Sequence, residues 1–402
     1  MNPPFGERFM KSALDGIVVL DFGMAIAGAF PSALLGDMGA EVIKIEPRFG
    51  DFARQWSPFF KDESQLFLAW NRNKKSLVLD LTRPAGQETA LRLASQADVV
   101  VQNFRPGVAD RLGVGYPRLS KINPRLVYCS VSGFGQDGPY VGRPGFDPVL
   151  QAMSGFMAAQ GIFSGGAGDP LFIVFALIDY STALLAAYGV MTALYFREKT
   201  GKGQHVETSL LNAAVAVQPE RFVKTQFKPV GQGSVVPYQL FKAKDAWFFL
   251  GIAHDGFWKK FCEVLEDREL ANDPRFATNP KRVENKQVLI QMLRERLAQR
   301  NAGEWLERLT AAGVPCAPVQ TVEQFMDDPQ VAHNGMLVDR EHAVLGKMTT
   351  GGVPVKLSQV PYQPTGASPA LGQHTREVLA RFGFTTQEVG DLERDGAVYQ
   401  RP

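Results

Sequence analysis

The sequence predicts an α/β fold: a large domain on a parallel sheet, with a smaller α+β domain after it. Three observations predict this. Apolar runs of strand length alternate with helical patterns from residue 16 to residue 131, as parallel strands joined by crossover helices do. Residues 171–196 are almost wholly apolar, and a helix apolar on every face needs a large core to bury it. From Tyr238 the pattern turns to short strands and amphipathic helices, which marks a second unit.

Composition narrows the functions. The 402 residues suffice for two domains, and 45% apolar with 21% charged residues is the balance of a soluble globular protein. A net charge of +2 sets up no broad field, so neither nucleic acid nor a membrane is expected as a partner. An anionic ligand must be met by a local cluster instead. Cys129, Cys262 and Cys316 are few, odd in number and far apart. They suit reduced thiols in a cytoplasmic protein and fit no disulfide framework or zinc site. The opening MNPPFGERFMKSALDG has no apolar core of signal-peptide length.

The elements follow in order. Residues 16–22, GIVVLDF, read as a buried strand. Loop 23–29 leads to a small-residue helix over 30–38, ended by Gly39, and 41–46, EVIKIE, is the next strand. Such a βαβ opening invites a dinucleotide, with Glu46 on a ribose hydroxyl. The loop lacks the GxGxxG spacing that lets a pyrophosphate approach, which argues against it. Residues 51–68 form an irregular excursion, with Trp56 and Phe59 read as packing. Asn71, Arg72, Asn73, Lys74 and Lys75 precede a strand at 76–81, either as a solvated turn or as a grip on phosphates. A helix over 84–96 and a strand over 98–104 lead into Asn103-Phe104-Arg105-Pro106-Gly107 and a helix with Arg111. Ligands of open α/β sheets sit at the carboxyl ends of strands, where Lys74, Asn103 and Arg105 are expected. A strand over 126–131 ends in the Gly-rich loop 132–139, whose N–H groups could face an anion.

Asp179 is the one charge in the long apolar stretch. At the head of a helix it would meet free N–H groups and the positive pole of the dipole, and so stay ionised yet stripped of water. That describes either a plain N-cap or a carboxylate readied as a nucleophile. A membrane span is a third reading, but the uncharged run 180–196 falls short of the roughly 20 residues a span needs. The helix ends at 197–201, REKTG, with cations and a glycine where a carboxyl terminus has them.

Several motifs in one order carry a resemblance. They are LDGIVVLDF, LGDMGAEVIKIE, NRNKKSLVLDL, NFRPGVADRLG, SVSGFGQDGPY, RPGFDPVLQAMSG and DYSTALLAAYGVMTALYFREKTGKGQ, with VPYQLFKAKDAWF, AGVPCAPV and ALGQHTREVL later. The chain closely resembles the family III CoA-transferases, a group that includes formyl-CoA transferase and the dicarboxylate CoA-transferases. The resemblance implies a Rossmann-like large domain made from both chain ends, an α+β domain from the middle, and an interlocked homodimer. The expected boundaries are 1–224 for the first part of the large domain, 225–237 for a linker, 238–320 for the small domain and 321–402 for the returning segment.

The resemblance also implies a reaction. CoA passes from an acyl-CoA, such as succinyl-CoA or another dicarboxylyl-CoA, to a carboxylic acid through a covalent intermediate on Asp179. CoA enters as a substrate moiety, with no permanently bound cofactor or metal. By the same resemblance, CoA contacts fall on Ala25, Ala27, Arg48, Asn71, Asn73, Lys74, Lys75, Asn103, Phe104, Arg105 and Arg111. Gly231-Gln232-Gly233 is a candidate for the family's cover loop. Ile26 stands where the formyl-CoA enzyme has a glutamine, and the motifs look nearest the dicarboxylate users. The rival branch, the α-methylacyl-CoA racemases, shares the fold and the aspartate but moves an α-proton with a histidine in a GHD-type motif. Here the match is Gly145-Phe146-Asp147, and phenylalanine carries no proton. His254 and Gln239, in the smaller domain, are either surface residues or contributors to the acceptor pocket.

Overall fold

The computed structural model describes residues 12–163, 169–227, 235–360 and 366–401. Residues 228–234 of the expected linker, with Gly231-Gln232-Gly233, lie outside the described residues. The chain divides into two compact units, residues 1–223 together with 335–402, and residues 224–334.

The elements that matter for the larger unit begin with β1 (Val18–Asp21), α1 (Ala25–Asp37), β2 (Glu41–Glu46) and β3 (Lys74–Leu79). They continue with α2 (Pro84–Ala94), β4 (Val99–Gln102), β5 (Val127–Ser132), α3 (Asp147–Met153), α4 (Leu177–Thr200) and β6 (Gln204–Ser209). The smaller unit holds β7 (Tyr238–Lys242), β8 (Trp247–Gly251), α5 (Asp255–Leu265) and β9 (Cys316–Pro318). The tail then adds the hairpin β10 (Leu337–His342) and β11 (Gly346–Gly351), the helices α6 (Thr375–Arg381) and α7 (Thr386–Asp395), and β12 (Val398–Tyr399).

The main sheet runs β12-β3-β2-β1-β4-β5-β6. Six strands are parallel, and β12 closes one edge antiparallel to β3. Strands such as VVLD and VVVQ are buried at every residue, because the sheet is covered on both faces. One face packs Leu20, Ile43, Leu77 and Val100 with Val378 and Leu379 of the tail. The other packs Val19, Val42, Val101 and Cys129 with Ile178, Ala186 and Val190 of α4. The chain winds outward from β1 through β2 to β3, then returns to β4 on the far side of β1. That reversal is a topological switch point, and a crevice opens there at the carboxyl ends of the strands.

Helix α4 departs from expectation. Only one face is buried, through Ile178, Thr182, Ala183, Ala186, Val190, Ala193, Leu194 and Arg197. Gly189 lets it approach β6 closely: a Cβ there would lie 2.7 Å from the Val206 side chain. The opposite face is apolar yet open, with Leu184 at 55%, Tyr188 at 71% and Tyr195 at 66% exposure. Composition shows that a helix is apolar all round but not what covers each side. The helix is long and apolar enough to cross a bilayer. Its inner face instead lies on α1 and β6, and its buried Arg197 pairs with Asp98 at 2.9 Å, which is the place of a core helix.

In the smaller unit, the antiparallel sheet β9-β8-β7 packs Phe241, Phe248 and Leu250 against Trp258, Phe261 and Trp305.

Candidate functional site

The crevice at the switch point is a cleft of about 600 Å³. Its walls come from three strand ends: Met24 and Ala25 after β1, Asn103, Phe104 and Arg105 after β4, and Ser132 to Gly135 after β5. Phe52 and Trp56 close one side, and Arg143 to Phe146 the other. Trp56, read from the sequence as packing, is therefore a wall residue.

Side chains knit these ends together. Asn103 Oδ1 accepts from the Met24 N–H (2.8 Å), and its Nδ2 donates to the Met24 carbonyl (2.9 Å). Gly28 makes room for this staple, since a Cβ there would stand 2.3 Å from the Asn103 side chain. The Gly133 and Gly145 backbones touch so closely that a Cβ on either would meet the other's Cα within 2.8 Å. Ala25 sits at φ 55, a left-handed conformation rare for a residue with a Cβ. Its N–H donates to Asp51 Oδ1 (3.1 Å), which helps hold it there.

Beneath the cleft lies a buried network of charges. Asp21 Oδ1 accepts from the Gly23 N–H (2.8 Å), while Oδ2 pairs with Lys74 Nζ (2.7 Å). Lys44 Nζ pairs with Asp51 (2.9 Å) and donates to the Gly23 carbonyl. Glu46 accepts from Arg54 through both oxygens (2.8 and 2.9 Å) and from Ser76 Oγ (2.7 Å). Burial alone would raise the Glu46 carboxyl, but Arg54, Lys44 and Ser76 outweigh it and hold it at about 2. Burial pushes the Lys74 ammonium down to about 8 against the pull of Asp21.

This network corrects part of the sequence reading. Lys74 begins β3, so it lies at the amino end of its strand, and its Nζ is spent on Asp21, Ala29 O and Asn71 Oδ1. Asn71 is fully buried as that partner. Asn73 Nδ2 donates to Asp37 Oδ1 (2.6 Å). Lys75 is divided between Glu41 (3.1 Å) and Glu377 (2.8 Å). Asn71, Asn73, Lys74 and Lys75 thus each meet a protein group, and the Lys75 side chain stays 35% exposed. Glu46, bound by Arg54 and Ser76, is closed to a ribose hydroxyl. Of the remaining candidates, Ala25, Asn103, Phe104 and Arg105 line the cleft. Ala27 is buried behind them, Arg48 lies over the Tyr399 ring (4.9 Å), and Arg111 is exposed.

Asp179 stands in the first turn of α4 but does not cap it. The cap is a carboxylate that the sequence did not single out. Asp147 Oδ2 accepts from the N–H of Ile178 (2.7 Å) and of Asp179 (3.1 Å). Its neighbour Phe146, 62% exposed, is a wall of the cleft. A single peptide link therefore joins the cleft wall to the residue that holds the turn bearing Asp179. Burial, then the adjacent Asp147 charge, raises the Asp179 carboxyl to about 7. It is not held fully ionised, as the cap reading required. A half-buried carboxyl that titrates near neutrality can serve as a nucleophile or as a proton carrier. The signal for Asp147 was present in the sequence as the D-x-x-x-Q spacing of DPVLQ, one helical turn, within a motif already noted.

The family model described as CoA-transferase family III matches residues 14–375. This chain belongs to CoA-transferase family III. It is 36% identical over 397 residues to the human succinyl-CoA:glutarate CoA-transferase, spanning 96% of this chain and 90% of that one. It is 37% identical over 383 residues to the acetyl-CoA:oxalate CoA-transferase of Acetobacter aceti, covering 92% and 96%. Its fold matches a CAIB/BAIF family protein from Brucella suis, with a TM-score of 0.81, 33% identity and coverage of 92% and 100%. Within this family III CoA-transferase, the position where the racemase branch has a histidine is the open ring of Phe146. In the smaller unit, His254 Nδ1 caps α5 by accepting from the Gly256 (3.1 Å) and Phe257 (3.3 Å) N–H groups. Gln239 is half-buried in β7, paired to Leu250 of β8.

Proposed function

We propose that this enzyme moves CoA from a dicarboxylyl-CoA to a carboxylic acid acceptor by way of Asp179. One observation carries the reading: a half-buried carboxyl, raised toward neutrality, in a turn tied through Asp147 to the cleft wall at Phe146. The ionised Asp179 attacks the thioester carbonyl, the C–S bond breaks, and CoA leaves as thiolate from a mixed anhydride. The thiolate then attacks the aspartyl carbonyl, which releases the donor acid and leaves CoA on Asp179 as a thioester. The acceptor carboxylate retraces both steps. Water must be kept out, since it would hydrolyse the anhydride.

Ala25, Ala27, Asn103, Phe104 and Arg105 take the CoA moiety in this reading, with Arg48 and Arg111 further out. The cleft is largely apolar and carries two cations, Arg105 and Arg143, the groups there able to meet phosphate or a free carboxylate. Relatives that act on succinyl-CoA, glutarate and oxalate support a dicarboxylic substrate. The open apolar face of α4 supports a homodimer, because a patch of that kind marks a covered surface. The protein works in the cytoplasm, where CoA esters are available to it.

The test is to incubate the enzyme with succinyl-CoA alone and digest it. The peptide bearing Asp179 should gain the mass of CoA, and Asp179→Ala should gain nothing. A CoA adduct that survives in Asp179→Ala would overturn the reading. A panel of acid acceptors, read by the new thioester formed, then fixes the substrate pair.

A further inference from the structure

The start of α4 brings two carboxylates together, and only one has a chemical part in CoA transfer. Asp147 is 3% exposed. Its Oδ2 satisfies two of the N–H donors that a helix start leaves free. Its Oδ1 accepts from Gln151 Nε2 (2.5 Å). Gln151 is itself fully buried and holds the Ile173 backbone at both its carbonyl (3.0 Å) and its N–H (3.2 Å). The segment leading into α4 is thus clamped at Ile173 and again at Ile178.

The helix start needs one acceptor oxygen and no charge, because asparagine and serine cap helices as well as aspartate does. The second oxygen serves Gln151, and the charge that comes with it has a further consequence. Among the described residues, Asp147 is the charged group that acts on Asp179. The next residue in the turn, Tyr180, accepts from Trp70 Nε1 (2.9 Å) and packs edge-on against Phe30, and neither partner is charged. Repulsion between the two carboxylates exists only while Asp179 is ionised. It vanishes when Asp179 becomes an anhydride or a thioester, both of which are neutral at that position.

We propose that Asp147 is a positioning residue with a second effect: it fixes the nucleophile's turn and favours the acylated forms of Asp179 over the free carboxylate. The inference rests on Asp179 being the nucleophile.

Asp147→Asn keeps an acceptor oxygen for the helix start, removes the charge and gives up the bond from Gln151. Its acid limb of kcat/KM should move to lower pH by about one pH unit. At a fixed ratio of succinyl-CoA to succinate, the fraction of enzyme carrying CoA on Asp179 should fall about tenfold, because the free carboxylate is relieved. Asp147→Glu restores the charge and should return both readouts toward the native values, which a purely structural role would not require. Asp147→Ser, a second neutral cap, provides the same comparison if the asparagine variant folds poorly. A native pH limb and a native CoA-enzyme fraction in the neutral variants overturn the proposal. Asp179→Ala run in parallel separates the two failures: a label independent of Asp179 sinks the nucleophile itself, whereas a label that needs Asp179 but ignores Asp147 sinks this inference alone.

Discussion

A carboxyl that titrates near 7 costs the fold stability whenever it is ionised. An unfolded aspartate titrates near 3.9, so between that pH and about 7 the unfolded chain has lost a proton that Asp179 keeps. Stability therefore falls as pH rises through this window and then levels off. Asp179→Asn should be inactive yet more stable at pH 8, by roughly 4 kcal/mol before allowance for partial exposure. The gain should vanish near pH 4, and thermal melts at the two pH values check it. Glu46 works in the opposite sense. Its carboxyl is depressed to about 2, so its contribution is present above about pH 4.5 and is lost as pH falls toward 2. Lys74 shows why the residue scale is hard to read from sequence. A lysine before a strand looks like an open cation, and nothing local reveals that Asp21 waits 53 residues earlier in the chain. Lys74→Met should cost up to about 3–5 kcal/mol by leaving the buried Asp21 with the longer 4.0 Å pair to Lys44 as its remaining charge partner. Urea titration would read that cost.

At the scale of elements the sequence was far more legible. Five of the six parallel strands announce themselves because each is covered on both faces and buried along nearly its whole length, whereas the edge strand β6, QHVETS, is half exposed and carries no apolar run. The start of α1 was misplaced, since the small residues of loop 23–29 fit a loop and a helical turn equally well, and the helix begins at Ala25. The Asp147 cap could not be read as a cap at all, because it reaches α4 from 32 residues away. Elements also meet where side chains are absent. Gly28 passes so close to Asn103 that Gly28→Ala must displace the staple between the ends of β1 and β4. That variant should bind CoA at least about tenfold more weakly, a loss of about 1.4 kcal/mol, as read by calorimetry.

For the whole molecule, the proposed homodimer puts its contact on the outer face of α4. Leu184, Tyr188, Met191 and Tyr195 recur at helical spacing along one open stripe. Leu184→Glu combined with Tyr188→Glu should halve the particle mass seen by light scattering, and an unchanged mass would rule the stripe out as the subunit contact. Composition gave this stripe no side, so the sequence alone read it as core. The closing strand has a different kind of consequence, one of time. Val398 lies beside Leu79, and Thr375 ties the two by accepting from the Val78 N–H while donating to the Tyr399 carbonyl. On a ribosome that adds about 5–20 residues per second, the margin made early waits on the order of tens of seconds for the segment that seals it. Throughout that interval its unmet peptide groups stand open to any passing strand. Newborn chains are thus exposed to clumping until the closing strand emerges and pairs.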